Sequence, residues 1–336
     1  MAFQTGTSTS IENLMQQLST FLQANGWTED YAVTGDPGTI AFSKNQSFVS
    51  FQYSETAAAS GGTGAMALYQ ARANDTGDTA DPWLSTGDSG AGVANNILSQ
   101  LANGLCVNNF AGPHTSYFFF ENNASPSYIH VVVEVDAGRY RHFGFGELDK
   151  VGDWTGGEYI YGQFIFPNED DPKSVFSGFG MDSCRSQGQF QIVGSTIRIE
   201  DHVGEPDPAT IWGVVHNGNG DTDRAGNARW RITGGHRYPP EFAAIYWIRA
   251  SEANAFKPMA PISVKALNIA TVPDQQYLLG YVADERLVNI ANIDPGQIIT
   301  IGGDDWYFFP WVRKRNLQDN TEESRNFGIA YRRENA

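Results

Sequence analysis

The chain is short of the residues that usually give a function away. Only two cysteines, Cys106 and Cys184, occur in 336 residues. That is too few for a disulfide framework, and neither sits in a CxxC or Cys/His spacing that would hold zinc. Both are expected to be buried free thiols. Basic residues are also scarce: 22 Lys and Arg stand against 38 Asp and Glu, a formal charge of −16. Gripping a phosphate backbone requires clustered positive charge, so direct nucleic-acid binding is not expected as the primary role. No apolar run reaches the roughly 18 residues of a membrane span. The opening "MAFQTGTSTSIENLMQQL" lacks the basic start and continuous apolar core of a secretion signal. The expectation is a chain that folds in a cytoplasm and has no membrane span. The six histidines, His114, His130, His142, His202, His216 and His236, form no HxH, HxxH or HExxH spacing. Metal catalysis therefore lacks a local signature, and no metal or other cofactor is expected.

What the sequence has in quantity is aromatics, at 13%, together with 36 Gly and 15 Pro. That mixture belongs to many short strands joined by tight turns. One helix stands out. Thr9 and Glu12 form a capping-box pattern, and Ile11, Leu14, Met15, Leu18, Phe21 and Leu22 recur at helical spacing until Gly26, which reads as the residue just past the helix. Its stripe is apolar enough to need a partner, in the same chain or a neighbouring subunit. Strand patterns follow. "IAFSKNQSFVSFQY" predicts a hairpin turning at Lys44, Asn45 and Gln46, and "AMALYQAR" the next strand. Residues Ala73 to Gly92 read as a long exposed loop, of a kind usually tied to binding, and Val93 to Leu101 as a short helix.

From Thr115 the segments "TSYFFFEN", "SYIHVVVEV", "YRHFGFGEL" and "EYIYGQFIF" predict a meander of consecutive strands. Further strands are expected at Phe190–Ile199, Ile211–Val215, Arg229–Thr233 and Ile245–Arg249. "GQIITIGG" and "WYFFPWV" predict a closing hairpin, and "FGIAYRR" a last strand. The fold class is thus mostly β, an antiparallel sandwich or meander body with an N-terminal α-helix. Its expected organisation is an arm and helix over 1–30, a main β domain over 31–235 with the loop 73–92, and a C-terminal β region over 236–336. No fixed-period repeat points to a propeller or solenoid.

Several motifs carry chemistry elsewhere and fail here. Gly87-Asp88-Ser89-Gly90 matches the surroundings of a chymotrypsin-like nucleophile, but that family needs its His upstream, and the first histidine is His114. Asn217, Asn219, Asp221 and Asp223 alternate like EF-hand ligands, yet Thr222 replaces the central glycine and Ala228 the bidentate Glu, so a solvated turn is the better reading of a segment that keeps some calcium-site character. Acidic runs such as Glu169-Asp170-Asp171 and Glu322-Glu323 single out no pair for glycoside hydrolysis. His130 and His142 fall on neighbouring strands and are expected to form a packed, hydrogen-bonded pair. Gly144 and Gly146 give GxG, but Asp149 stands where a dinucleotide fingerprint needs its third glycine. They instead mark a bulge or the close approach of another backbone, with Phe143 and Phe145 on one face of the strand and His142, Gly144 and Gly146 on the other.

Three stretches taken together resemble a known kind of protein. "FQTGTSTSIENLMQQLSTFLQANGWT", "YIHVVVEVDAGRYRHFGFGELDKVGDWTGGEYIYGQF", and "IDPGQIITIGGDDWYFFPWVRKR" with "FGIAYRR" are similar, in that order, to blocks of tailed-bacteriophage virion proteins. The resemblance covers about a third of the chain and does not extend over Val175–Ala270. It implies a non-enzymatic structural component of the neck or collar, tail or baseplate, assembled in the host cytoplasm with copies of itself and other virion proteins, and with no catalytic residues to carry over. Expected subunit contacts are the arm Ala2–Ser10, the loop Ala73–Gly92, the basic cluster Arg313, Lys314 and Arg315, and the basic tail with Arg325, Arg332 and Arg333. Two rivals remain: a virion-attached protein that recognises host-surface sugar through aromatics in Tyr238–Trp247, and a polysaccharide hydrolase.

Overall fold

The computed structural model describes residues 1–45, 47–59, 62–71, 105–152, 156–162, 189–194, 197–200, 206–209, 212–214, 230–233, 259–268, 276–311, 313 and 327–334. The long loop, the second helix and the strand expected at Ile245–Arg249 lie outside these residues. In chain order the first elements are β1 (Ala2–Ser8), α1 (Ile11–Ala24), β2 (Thr28–Val33), β3 (Gly38–Lys44), β4 (Ser47–Ala59), β5 (Gly62–Ala71), β6 (Leu105–Asn108) and β7 (His114–Asn122). Next come β8 (Tyr128–Asp136), β9 (Arg139–Glu147), β10 (Asp149–Lys150), β11 (Gly156–Gly162), β12 (Gln189–Gly194), β13 (Ile197–Glu200), β14 (Pro206–Ala209) and β15 (Trp212–Val214). The remainder are β16 (Trp230–Thr233), β17 (Ala260–Asn268), β18 (Gln276–Asn289), β19 (Gln297–Ile301), β20 (Asp304–Pro310) and β21 (Phe327–Arg333). The fold is mostly β and antiparallel, with one helix near the N-terminus among the described residues.

A central sheet runs β1-β7-β8-β9-β11-β12-β15, so the expected meander forms its middle. Side chains of alternate residues leave opposite faces of a strand. One face of this sheet carries Tyr117, Phe119, Ile129, Val131, Val133, Phe143, Phe145 and Ile160, all in one apolar core. The five-stranded sheet β2-β3-β4-β5-β6 and helix α1 cover that face. Phe51 meets Phe143 and Phe145 edge-on, and Phe21 packs at 5.5 Å from Phe119. The other face carries Phe118, Phe120, Tyr128, His130, Val132, His142 and Tyr161. Against it lies a third sheet, β16-β17-β18-β21-β20-β19, with β10 paired to β18. Phe120 stacks on Tyr331 and Phe118 packs on Phe309 across this second interface. The body thus has three layers, and β8 is buried on both faces from Tyr128 to Val133.

Helix α1 is fixed at both ends. Its N-cap is Ser10, not the expected Thr9: the Ser10 hydroxyl accepts the Asn13 N–H at 3.0 Å, while the Thr9 N–H is taken by the Asn13 side chain. Glu55 of β4 accepts the Ile11 N–H and also the Gly112 N–H at 2.9 Å. At the other end Gly26 has φ +85 and stands where the sequence placed it. Gly26 N–H donates to Gln23 O and Trp27 N–H to Leu22 O, the paired bonds of a Schellman motif, with Leu22 and Trp27 in contact with the same core.

Hairpins follow the turn residues closely. Lys44 pairs with Ser47 around Asn45, whose φ is 54, and Ile301 pairs with Asp304 around Gly302 and Gly303, both at positive φ. The arm residues Ala2–Ser8 form the edge strand of the central sheet, paired with β7, and Phe3 reaches Phe120 and Tyr307. Where one strand was expected at Phe190–Ile199 there are two, β12 and β13, in different sheets. β16 ends before residue 235 yet pairs with β17 beyond it, so the third sheet draws on both sides of that position.

The paired glycines of β9 owe their place to close approach. A Cβ on Gly144 would stand 2.4 Å from the Tyr161 ring and 2.6 Å from Ile129 O, and one on Gly146 would stand 2.4 Å from Ser127 O and Tyr128 Cα. No register shift accompanies them, so they are not a bulge. Gly146 also has φ +141. Gly146→Ala should destabilise the fold by about 2–6 kcal/mol, the sum of backbone strain and overpacking. Gly138 at φ +70 has open space around it, so Gly138→Ala should cost only about 1–2 kcal/mol. Urea denaturation of the two variants checks the contrast.

Candidate functional site

A buried collection of ionisable side chains lies between the central and third sheets. It starts from a row across three strands. His130 of β8 pairs with Gly144 of β9, and Gly144 with Tyr161 of β11. Because the middle residue has no side chain, the outer two meet over it, with the Tyr161 hydroxyl 3.3 Å from His130 Nδ1. Both then reach Glu285 of β18. Tyr161 donates to Glu285 Oε1, and His130 Nδ1 lies 3.0 Å from the same oxygen.

Glu285 is delivered by an irregularity in β18. Ile262 pairs with Val282 and Pro261 with Arg286, so Ala283, Asp284 and Glu285 bulge out without partners on β17. Asp284 takes φ 53 to do so. Bulges re-aim side chains, and this one turns three groups on the central sheet. The Ala283 carbonyl accepts from His130 Nε2 at 2.8 Å, Asp284 accepts from the Tyr128 hydroxyl, and Glu285 receives the pair already described. Asp284 also holds Arg332 at 3.1 Å, and Arg332 reaches Asp304 at 2.8 Å.

Proton positions follow from these partners. A carbonyl only accepts, so His130 Nε2 carries a proton. A carboxylate likewise only accepts, so Glu285 Oε1 takes the Tyr161 O–H. His142 Nε2 donates to Pro310 O at 2.9 Å, and its Nδ1 accepts the Tyr331 hydroxyl at 2.7 Å, which is the pattern of a neutral ring. Burial pushes this imidazole down to about 3. Burial, reinforced by Glu285, pushes the Tyr161 and Tyr331 hydroxyls well above their ordinary value, so they stay protonated as donors. Glu285 Oε2 is buried without a hydrogen-bond partner. His130, His142, Glu285, Tyr161 and Tyr331 are at most 1% exposed. What this constellation does chemically is bind one sheet to another at fixed register.

The expected histidine pair takes a different form. His130 and His142 share a face on adjacent strands, but each bonds to the third sheet rather than to the other, and the Tyr331 ring lies 5.7 and 5.9 Å from them. Among the expected contact residues, Arg332 has the two carboxylate partners above. Arg333 donates to the Tyr307 hydroxyl at 3.0 Å and lies 4.8 Å from the Phe3 ring. Arg313 is exposed and bridges to Arg139, whereas Lys314, Arg315 and Arg325 lie outside the described residues. So do Ser89, Cys184, Asn217–Asp223, the acidic pairs, and Tyr238–Trp247. Among the described residues no group of three or more His, Cys, Asp or Glu is placed to hold a metal, and no helix is long and apolar enough to cross a membrane. No protein-family model matches the chain, and no curated protein matches it significantly.

Two outcomes test the seam. Removing the hydroxyl in Tyr161→Phe deprives a buried carboxyl of a donor and should cost about 1–3 kcal/mol in urea denaturation. The second concerns pH. In the unfolded chain His142 takes up its proton near the ordinary 6.5, in the folded chain only near about 3. The unfolded state therefore binds more protons in between, and stability falls as pH drops through that window, by at most about 1.4 kcal/mol per pH unit from this group. His142→Gln should show a shallower loss than the parent between pH 6.5 and 4.

Proposed function

We propose that the chain is a non-enzymatic structural component of a tailed-bacteriophage particle, built in as a ring or decoration at the neck or collar, the tail or the baseplate. Its partners are other copies of itself and other virion proteins, and it assembles in the host cytoplasm without holding DNA directly. One observation carries the reading: the three separated stretches that resemble virion proteins form one packing unit. Trp27 of the first meets Phe145 of the second at 5.1 Å. His142 of the second bonds Tyr331 of the third. Phe3 of the first meets Tyr307 of the third at 4.9 Å. Stretches about a hundred residues or more apart in sequence thus each contribute elements to the packed body and touch pairwise, as expected of blocks that belong to a common protein type. A body laced together by buried polar bonds and aromatic stacks also suits a part that bears load within an assembly.

The direct test is an electron-microscopy map of the particle whose genome carries the chain, with mass spectrometry of its proteins. Symmetric copies at the neck, tail or baseplate are expected. Absence from purified particles overturns the reading. Particles that assemble fully without the chain and fail only to adsorb make it a receptor-binding protein instead.

A further inference from the structure

Lys44, Glu121 and Asn123 converge where the five-stranded sheet meets the central one. Lys44 closes β3, Glu121 lies near the end of β7, and Asn123 begins the turn after it. Lys44 Nζ donates to Asn123 Oδ1 at 2.8 Å, to Glu121 Oε1 at 3.1 Å and to the Asn25 carbonyl at 3.1 Å. Trp27 closes the site, its ring centre 5.5 Å from Nζ and its indole N–H donating to the same Glu121 oxygen at 3.2 Å. Lys44 is 11% exposed and Glu121 fully buried. The other carboxyl oxygen, Oε2, is buried with no hydrogen-bond partner. Burial raises this carboxyl's pKa even with Lys44 beside it.

An amine, a carboxamide and a desolvated carboxyl are the nucleophile, electrophile and proton carrier of an amide exchange. We propose that Lys44 and Asn123 become joined by an isopeptide bond between Nζ and Cγ, with Glu121 as the acid–base group. The carbonyl carbon is one C=O bond, about 1.23 Å, beyond Oδ1, which places it within about 4 Å of Nζ. A near-attack separation is about 3–3.5 Å, so a small turn of the Asn123 side chain closes the gap.

The atoms balance without any co-reactant. Lys44 passes a proton to Glu121, an exchange favoured where two opposite charges are desolvated together. The Nζ lone pair forms a bond to Cγ as the C=O electron pair moves to Oδ1. Glu121 then carries a proton from Nζ to Nδ2, the C–Nδ2 bond breaks as the carbonyl reforms, and ammonia leaves. One amide replaces another. The product ties β3 to the β7–β8 turn beside the end of α1, a lock between two layers that does not depend on the virion reading.

Intact mass of the denatured full chain, with a tryptic map, tests the proposal. The expected product is lighter than its sequence by one ammonia and yields a branched peptide containing Lys44 and Asn123. Lys44→Arg and Asn123→Ala should each restore the sequence mass, and Glu121→Gln should slow formation about 10²–10⁴-fold. Asn123 is exposed, so Asn123→Ala keeps the comparison valid if the buried variant fails to fold. A parent chain at its sequence mass overturns the proposal. So does ammonia loss confined to a single peptide, which marks a cyclised asparagine, or a link formed at the parental rate in Glu121→Gln.

Discussion

A strand buried on both faces has no solvent to receive a polar side chain, and β8 is such a strand. Every polar group on it must find a protein partner at a defined place. His130 and Tyr128 therefore dictate what the third sheet presents to them: a carbonyl, two carboxyls and a bulge that aims all three. The other face of the same strand, with Ile129, Val131 and Val133, needs only apolar volume, which α1 and the five-stranded sheet supply. At β8, therefore, one face is specified by shape and the other by bonds. The second tolerates less, because a half-satisfied buried network costs more than an apolar core would.

The two ends of α1 extend the same logic. Glu55 meets the first turn and Lys44 the last carbonyls, so each charge complements the helix dipole while attaching the helix to the five-stranded sheet. Side chains from β3 and β4, one hairpin, thus hold both ends of the only helix among the described residues. The hairpin and helix behave as one unit clamped over the apolar face.

Much of this was legible in sequence where local chemistry decides structure. The helix with its terminal Gly26, the hairpins at Asn45 and at Gly302-Gly303, and the meander from His114 to Gly162 all follow from spacing and turn residues. The opposite faces of Phe143 and His142 follow from strand alternation alone. What stayed hidden was whatever a distant partner decides. β18 was not apparent because Asp284, Glu285 and Arg286 interrupt a largely apolar segment, and the bulge that makes the two carboxyls tolerable is defined only by its partners on β8. The destinations of Arg332 and Arg333 were hidden likewise: a basic tail reads as a free surface until Asp284, Asp304 and Tyr307 stand beside it. Ser10 displaced Thr9 as cap by a single position, a choice made by where Glu55 and Gly112 sit.

The seam also sets an order of events as the chain is made. Its bonds join residues far apart along the sequence: 124 positions separate Tyr161 from Glu285, 156 separate Tyr128 from Asp284, and 189 separate His142 from Tyr331. Loops of that length must close before any of these contacts rewards the closure, which makes such topologies slow to fold. The meander emerges from the ribosome well before β18 and β21 exist to meet it. Until they arrive, one complete face of the central sheet, rich in tyrosine, phenylalanine and histidine, stands uncovered. The nascent chain consequently passes through an interval in which that face is open to any other apolar surface it meets.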